Sequence, residues 1–441
     1  MSRGISYYLF LSGAVLSLLL PALINGYPLV YADTATYLDS GFTFGMPFDR
    51  PMTYGLFLRF VSLNGLSLWM VIAVPSLLMA WLIFRLYTFW LEGKELASFF
   101  AFLTVLLLSL FTGLSWTASQ LMPDIFTPIM FLSALLLLTG TCKRSESILL
   151  YFLFFLSAAM HLSHLSFNMA FFVSILIIRE IKPLGLKSHI RTRPLLVLLL
   201  LSMLAGLSGA SSYAKSKHIF LMGAMVEHGI VQPYLDEHCG SKDYRLCEYK
   251  DSLPDLAWQF LWDPDSPLEK LGGWKETKEE FNEIIRATLR SPKYLALHLR
   301  ESVKATAHQL VKFKLGDGNG IFLEGSQLHE RMNRYMPGEI SAYETSLQNR
   351  GKLNIPTWIH RMQQGFIVLS FLLLIGLLFG KRKAYTDSKY LGLVILILLA
   401  VIIHAWICGT FANAIDRLGT KMIWLLVLPT ALGSVRMKKL Y

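Results

Sequence analysis

The sequence predicts an all-α polytopic membrane protein with about ten transmembrane helices and a small, mostly helical extracytoplasmic domain. Of its 441 residues, 54% are hydrophobic and only 16% are charged, whereas about a quarter of an average soluble chain is charged. Runs such as LLVLLLLSMLAGLSGA approach the ~20 apolar residues that cross a bilayer. Basic residues concentrate in the short loops between such runs, as the positive-inside rule requires.

The first apolar run lies within MSRGISYYLFLSGAVLSLLLPALING and follows a single basic residue, Arg3. No small-x-small cleavage site follows, so we interpret the run as a retained span with a cytosolic N-terminus. Nine further spans are predicted at 68–90, 97–115, 125–141, 148–163, 165–179, 194–211, 363–380, 390–409 and 421–435. The two short spans between 148 and 179 predict a tight helical hairpin.

This topology divides the chain into three regions. Residues 1–211 form an N-terminal transmembrane module, with a first outer loop at 27–67. Residues 212–362 form the extracytoplasmic domain, and 363–441 contain the last transmembrane helices. The strongly basic short loops all fall on the cytosolic side, together with the C-terminus, and they fit a bacterial inner membrane. Topology therefore accounts for the net charge of +11, and no nucleic-acid partner is expected.

Within the extracytoplasmic domain, apolar residues recur at helical spacing at Phe281, Ile284, Ile285 and Leu289. The Ser291-Pro292 pair ends this helix, and a second helix is expected over about 293–314.

The four cysteines fall into two groups. Cys142 and Cys408 lie at or within apolar segments and are interpreted as packing residues. Cys239 and Cys247 share the polar loop CGSKDYRLC. Outside the cytosol they could form a disulfide, whereas their spacing alone also allows two free thiols.

Two charged residues directly outside the first span are candidates for function. An acid at a membrane edge is costly unless it faces water, a partner or a ligand, so Asp33 is a candidate site residue. It could instead cap a short helix reading TATYLDSGF. Arg50 precedes Pro51, and its guanidinium suits phosphate binding. It could equally reach lipid phosphates or pair with Asp49.

Further candidates lie near the fourth and fifth spans. Asp124 is predicted on the same side of the membrane as Asp33. Two carboxylates there could together act as a general base and bind the substrate or a metal. A helix start after Pro123 is the alternative. His161 and His164 are one helical turn apart and could bind a metal or a phosphate. Without a nearby carboxylate or cysteine, a hydrogen-bonded packing role is the competing interpretation.

The extracytoplasmic domain carries five basic residues near a GDGNG segment, namely Lys304, Lys312, Lys314, Arg331 and Arg334. A basic face beside a membrane would suit an anionic lipid-linked substrate, although such charges also occur on solvated helix faces. GDGNG lacks the strand-to-helix setting of a phosphate loop, so we predict a turn.

Together, ADTATYLDSG and FDRPMTYGLFLRF directly after the first span resemble the GT-C superfamily of integral-membrane glycosyltransferases, in its protein-O-mannosyltransferase-like and bacterial branch. The matching residues are Asp33, Tyr37, Arg50, Pro51 and Tyr54. The stretch LMPDIFTPIMFLSALLLL resembles the second acidic loop of that family. The resemblance covers about the first 180 residues by motif and the remainder by layout. Asp33 is followed by Thr34, where the family often has adjacent acids.

The resemblance implies an inverting transfer of a sugar from a polyprenyl-phosphate donor to an acceptor at the extracytoplasmic face. Asp33 would be the catalytic base and Arg50 would hold the departing phosphate, while Asp124 would assist the acceptor or hold a divalent cation if one is used. The substrate-binding residues expected besides Arg50 are Tyr37, Tyr54, His161, His164, Lys304 and Arg331. The sequence does not identify the sugar or the acceptor.

Two other functions remain alternatives. A transporter or flippase of an anionic lipid would use Asp33, Asp124 and His164 as coupling or gating groups. Such proteins place ionisable groups mid-membrane and often contain inverted repeats, whereas these acids lie at loop edges and no repeat is apparent. A structural or assembly factor that uses the extracytoplasmic domain as a partner surface is the third interpretation.

Overall fold

We describe the protein from a computed structural model that covers residues 3–91, 94–140, 142–181, 184–379 and 388–437. Within these ranges the chain is helical, and the β-structure consists of one isolated parallel bridge between Leu29 and Gln120. Part of the predicted cytosolic loop near 92 and the basic loop at 380–387 lie outside the described residues. So do the C-terminal Lys438 and Lys439.

In the described part of the chain, ten α-helices precede residue 180. They are α1 (Arg3–Leu18), α2 (Leu20–Asn25), α3 (Thr34–Thr43), α4 (Thr53–Val61), α5 (Trp69–Trp90), α6 (Lys94–Phe111), α7 (Leu114–Ala118), α8 (Phe126–Thr139), α9 (Arg144–Ala158) and α10 (Ser163–Ile178). A 3₁₀ turn at Pro123–Ile125 leads into α8.

The remaining helices divide into a long polar stretch and a C-terminal apolar group. The first set is α11 (Thr192–Leu207), α12 (Ala210–Glu227), α13 (Val231–His238), α14 (Ala257–Trp262), α15 (Pro267–Lys270), α16 (Gly273–Glu276), α17 (Lys278–Arg290), α18 (Pro292–Val311), α19 (Gln327–Tyr335) and α20 (Ile340–Thr345). The second set is α21 (Thr357–Phe379), α22 (Ser388–Phe411), α23 (Asp416–Thr420) and α24 (Val427–Met437).

Among the described residues, four helical segments are long and apolar enough to cross a membrane: Trp69–Trp90, Thr357–Phe379, Ser388–Phe411 and Asp416–Val435. The pair α11 and α12 passes the same test only together, and it bends by 82° at the break. Shorter apolar helices lie at Ile5–Leu18, Leu96–Phe111, Pro123–Thr139 and Ser163–Ile178. These fall short of the ~20 residues of a full span, so a membrane protein is supported while ten crossings stay a prediction.

The two helices of the predicted hairpin between 148 and 179 contact each other at Phe154 and Phe172, whose ring centroids lie 5.9 Å apart, but each packs more extensively against other helices. Helix α9 packs mainly along α8, whereas α10 packs against α11 and α22. His164 joins the start of α10 to two other helices. Its Nδ1 lies 2.8 Å from the Ser157 carbonyl oxygen on α9, and its Nε2 lies 2.9 Å from Thr127 Oγ1 on α8.

The segment 212–362 contributes to two separate hydrophobic cores. Residues between Ile219 and Tyr294 form a core of their own, centred on Phe260, Phe281 and Ile284. Later residues, including Phe313, Leu328, Met332, Met336 and Tyr343, instead join the main core of the apolar helices. The second half of this segment is therefore packed against the first outer loop.

The predicted helix pair near residue 291 is confirmed. Helix α17 ends at Arg290, and α18 begins at Pro292, where proline is tolerated because a first-turn N–H has no intrahelical acceptor. Phe281, Ile284 and Ile285 are buried as expected, while Leu289 is 44% exposed. Cys239 and Cys247 are joined in a disulfide at the edge of the same core. Cys142 and Cys408 are free.

Helices α3 and α4 cross in close contact because two glycines face each other. A Cβ atom at Gly41 would lie 2.2 Å from the carbonyl oxygen of Gly55, and one at Gly55 would lie 2.4 Å from Ser40 Oγ. Any side chain at either glycine would push the helices apart. This crossing holds Tyr37 and Tyr54 edge to face, with ring centroids 4.8 Å apart.

Candidate functional site

The segment that leads into α3 is fixed on two sides by hydrogen bonds. The Leu29 N–H donates to the Ser119 carbonyl, and the Leu121 N–H donates back to Leu29, at 2.9 and 2.8 Å. On the other side the Gln348 amide bonds both the N–H and the C=O of Val30. These bonds set the start of α3 beside the loop that carries Asp124.

Asp33 lies at the N-cap position of α3, but its side chain makes no capping hydrogen bond. Its carboxylate instead lies 2.9 Å from Arg50 Nη1. The same guanidinium donates from Nε and Nη2 to both carboxylate oxygens of Asp49, at 3.0 and 2.5 Å. One arginine is thus shared by two acids, and Asp33 is the more open of them, with 29% of its side chain exposed against 12% for Asp49.

Tyr37 and Tyr54 pack behind this pair as buried residues. The Arg50 guanidinium carbon lies 5.3 Å from the Tyr37 ring centroid, within the range of a cation–π contact. Tyr54 lies deeper and contacts Phe57 and Phe126. The two tyrosines form the wall behind Arg50.

Asp124 forms a second charged group, which is closed to solvent. Its carboxylate lies 2.9 Å from Lys421 Nζ and 3.4 Å from Arg417 Nη1, and only 1% of its side chain is exposed. Beyond these two cations, no described residue donates a hydrogen bond to either carboxylate oxygen. The carboxylate therefore holds two cations rather than capping the helix that follows Pro123.

Tyr31 joins the two charged groups. The Arg417 guanidinium carbon lies 4.2 Å from its ring centroid. The backbone N–H of Arg417 also donates a hydrogen bond to the Asp317 carboxylate, at 2.8 Å. The GDGNG segment forms the predicted turn, and a Cβ atom at Gly318 would lie 1.5 Å from the Tyr31 ring. Since Gly318 also has φ of +78°, this position requires glycine.

Burial raises the pKa of Tyr31; the Arg417 charge opposes this, and the charges of Asp33, Asp317 and Asp124 add to it. Burial likewise raises the pKa of Tyr37, against the opposing charge of Arg50. Both phenols therefore stay protonated at neutral pH and do not act as bases. Of the three acids Asp33, Asp49 and Asp124, Asp33 has the most exposed side chain.

The two histidines are held by local hydrogen bonds. His164 is buried between Thr127 and Ser157. The Ser163 N–H donates to His161 Nδ1 at 3.2 Å, and the two imidazole centroids are 5.6 Å apart. These contacts suit the packing interpretation for His164, while His161 lies closer to the loop surface.

Lys304 and Arg331 lie in ion pairs of their own. Lys304 pairs with Glu301 one turn earlier on α18, at 2.8 Å, with 62% of its side chain exposed. Arg331 lies 3.3 Å from Asp39 on α3, and the Tyr335 hydroxyl donates to the same carboxylate. Arg331 thus joins α19 to the back of α3 and makes no contact with Asp33.

We call the two charged groups, together with Tyr31, the charged cluster. Three of its residues, Arg417, Lys421 and Tyr31, were not predicted from the sequence. The sequence did contain a signal for the two cations. With ten spans and a cytosolic N-terminus, the loop FANAIDRLGTK between the last two spans falls on the same face as Asp124, and its net charge is positive. In the described part of the chain, no group of three or more His, Cys, Asp or Glu side chains is arranged to hold a metal ion. An open groove of about 570 Å³ lies elsewhere, lined by residues that include Ile321, Leu323, His329 and Glu344.

The fold and this cluster define an all-helical protein with apolar helices suited to a membrane and a charged cluster that joins four separate chain segments. Comparison with protein-family models, with curated proteins and with solved structures found no match.

Proposed function

We propose that the protein is an integral-membrane glycosyltransferase that moves a sugar from a polyprenyl-phosphate donor to an acceptor hydroxyl, with inversion. The observation that carries the proposal is the Asp33–Arg50 pair, in which a partly exposed carboxylate lies 2.9 Å from a largely buried guanidinium. A base and a phosphate-binding cation are the two groups that this transfer needs side by side. The resemblance to the GT-C superfamily supports the same reaction.

In the proposed reaction the acceptor oxygen attacks the anomeric carbon and passes its proton to the Asp33 carboxylate. The bond between the anomeric carbon and the phosphate oxygen breaks, and its electron pair leaves with polyprenyl phosphate. Arg50 stabilises that developing charge with charge-assisted hydrogen bonds. Because the donor phosphate competes with Asp33 for Arg50, donor binding also releases the carboxylate for proton transfer.

The second charged group supports this site from behind. Asp124 holds Lys421 and Arg417, and Arg417 lies against Tyr31, two residues before Asp33. The buried Arg417 Nε has no hydrogen-bond partner among the described residues. A divalent cation is not needed to neutralise Asp124, since two cations already do so.

The proposed setting is the extracytoplasmic face of the inner membrane, with about ten crossings and both termini in the cytosol. The Cys239–Cys247 disulfide supports an oxidising compartment for its segment. A lipid-linked donor suits a site at the membrane edge, because its tail never leaves the bilayer.

The test is turnover by the purified, reconstituted protein with a panel of polyprenyl-phosphate sugars and membrane extract as acceptor. We expect release of polyprenyl phosphate by the wild type and a loss of at least about 100-fold in Asp33→Asn. Asp39→Asn is the matched control, since it removes a paired acid from the same helix and should retain turnover. Unchanged turnover in Asp33→Asn would exclude its role as base.

A transporter or flippase remains the second candidate, and one observation favours it. Asp124, Lys421 and His164 are buried together beside apolar helices, and such groups often couple transport. Protein-dependent movement of a fluorescent anionic lipid, together with no turnover of any donor, would favour this function over the enzyme.

A further inference from the structure

A surface of exposed aromatic and lysine side chains lies next to the Arg50 loop. We define the aromatic–lysine surface as Phe48, Tyr213, Lys215, Lys217 and Trp262. Its three rings are 43%, 52% and 52% exposed, in that order. Trp274 joins the parts, because its ring centroid lies 5.4 Å from Phe48 and 5.3 Å from Trp262. Phe48, Trp274 and Trp262 therefore form one run of ring contacts, and Tyr213 adds a separate exposed ring at the start of α12.

The two lysines lie over rings of this surface. Lys215 Nζ lies 5.8 Å from the Phe48 centroid, and Lys217 Nζ lies 5.8 Å from the Tyr213 centroid. Neither ammonium forms an ion pair with a described carboxylate, although other exposed lysines such as Lys242 and Lys250 do. The surface therefore presents two positive charges without protein counterions among the described residues, set among exposed apolar rings.

The lysines and Tyr213 lie just after the 82° bend between α11 and α12. Helix α11 is apolar and exposes residues such as Leu196, Leu200 and Leu207. Immediately after the bend the sequence changes to ASSYAKSK, which combines small, aromatic and basic residues. Aromatic rings and lysines of this kind concentrate where a helix leaves the hydrocarbon for the headgroup layer.

From this placement we infer that the aromatic–lysine surface binds the anionic headgroups of the lipid leaflet. The exposed rings would enter the acyl boundary, and Lys215 and Lys217 would bind headgroup phosphates. Its occupant is the lipid surface rather than a soluble anion, because a soluble anion would leave the adjoining rings in water. This inference does not depend on the proposed glycosyl transfer.

Hydrogen bonds connect the aromatic–lysine surface to the loop that carries Arg50. Ser212 Oγ lies 2.6 Å from the Pro47 carbonyl oxygen and 3.0 Å from that of Arg50, and so it ties the start of α12 to the Arg50 loop. Lipid held by Lys215 and Phe48 would therefore steady the loop that carries Arg50.

The experiment uses the full chain in nanodiscs of phosphatidylcholine with a minority of phosphatidylglycerol, with bromine on the acyl chains of one lipid at a time. The Trp262 signal is the tryptophan fluorescence of the wild type minus that of Trp262→Phe. We expect brominated phosphatidylglycerol, per mole fraction, to quench this signal more strongly than brominated phosphatidylcholine. Each lysine should contribute up to about fivefold to the preference.

The double variant Lys215→Gln/Lys217→Gln should remove most of that preference, and the double arginine variant should restore it. Lys242→Gln, which breaks an exposed pair with Glu283, is the matched control and should change nothing. Equal quenching by the two lipids, absence of quenching at Trp262, or a preference unaffected by the double glutamine variant would each overturn the inference. The readout needs neither donor nor turnover, so it is separate from the test of the proposed function.

Discussion

The two charged groups of the cluster hold similar chemistry in opposite environments. Asp33 shares one guanidinium with Asp49 and keeps 29% of its side chain exposed, whereas Asp124 is 1% exposed and holds both Lys421 and Arg417. A buried pair is costly to open, because removal of one partner leaves an uncompensated charge. A partly exposed pair can exchange its partner for a ligand at little cost. We therefore propose that Asp33 takes part in the reaction, whereas Asp124 stabilises the fold by holding two buried cations.

The largest effect is expected for Asp124→Asn. The change leaves Lys421 and Arg417 as buried cations without a counterion, so the free energy of unfolding should fall by about 3–5 kcal/mol. Thermal or denaturant unfolding in detergent measures it. Asp39→Asn, which breaks a more exposed pair with Arg331, should cost less than about 1 kcal/mol. Equal losses in the two variants would remove the distinction between the groups.

A smaller effect is expected for Gly318→Ala, which acts on the contact between the two groups. The new methyl group would meet the Tyr31 ring in a backbone conformation with φ of +78°. A loss of about 1–3 kcal/mol is expected from the strained backbone, together with a displaced Tyr31. Gly325→Ala is the control, because its φ of +87° is similar while no atom lies within 4 Å of the position that its methyl group would take. If both variants lost equal stability, the Tyr31 contact would have no measurable weight.

The smallest change in stability is expected for Asp33→Asn. Arg50 keeps its two hydrogen bonds to Asp49, and the lost pair is partly exposed, so the cost should stay below about 1 kcal/mol. The same unfolding measurement applies. A loss as large as that of Asp124→Asn would make Asp33 an architectural residue and weaken its assignment as a base.

Part of the fold and of the site could be predicted from the sequence. The position of Asp33 directly after an apolar run marked it as a candidate, and the Ser291-Pro292 pair marked the break between α17 and α18. Both are local signals, in which neighbouring residues determine the outcome. The GDGNG turn was predicted for the same reason, through glycines with positive φ at Gly316 and Gly318.

The partners of Asp124 could not be assigned in the same way. Lys421 and Arg417 lie in the last apolar segment, and no local spacing rule links them to a loop in the first third of the chain. Whether Asp33 and Asp124 cap a helix also depended on tertiary contacts. The division of 212–362 between two cores has the same origin, because amphipathic helices such as α17 and α19 carry no mark of the core they join.

Binding of polyprenyl phosphate is the sharpest test of the Asp33–Arg50 pair, because it isolates the exchange of Asp33 for a phosphate at Arg50. Titration into reconstituted protein should show affinity at least about tenfold weaker in Arg50→Gln than in wild type. Affinity should be equal or stronger in Asp33→Asn, since a competing carboxylate is removed. Arg59→Gln is the matched control on α4, where Arg59 contacts Phe42, Phe44 and Asn64. Equal affinity in Arg50→Gln and Arg59→Gln would contradict the account.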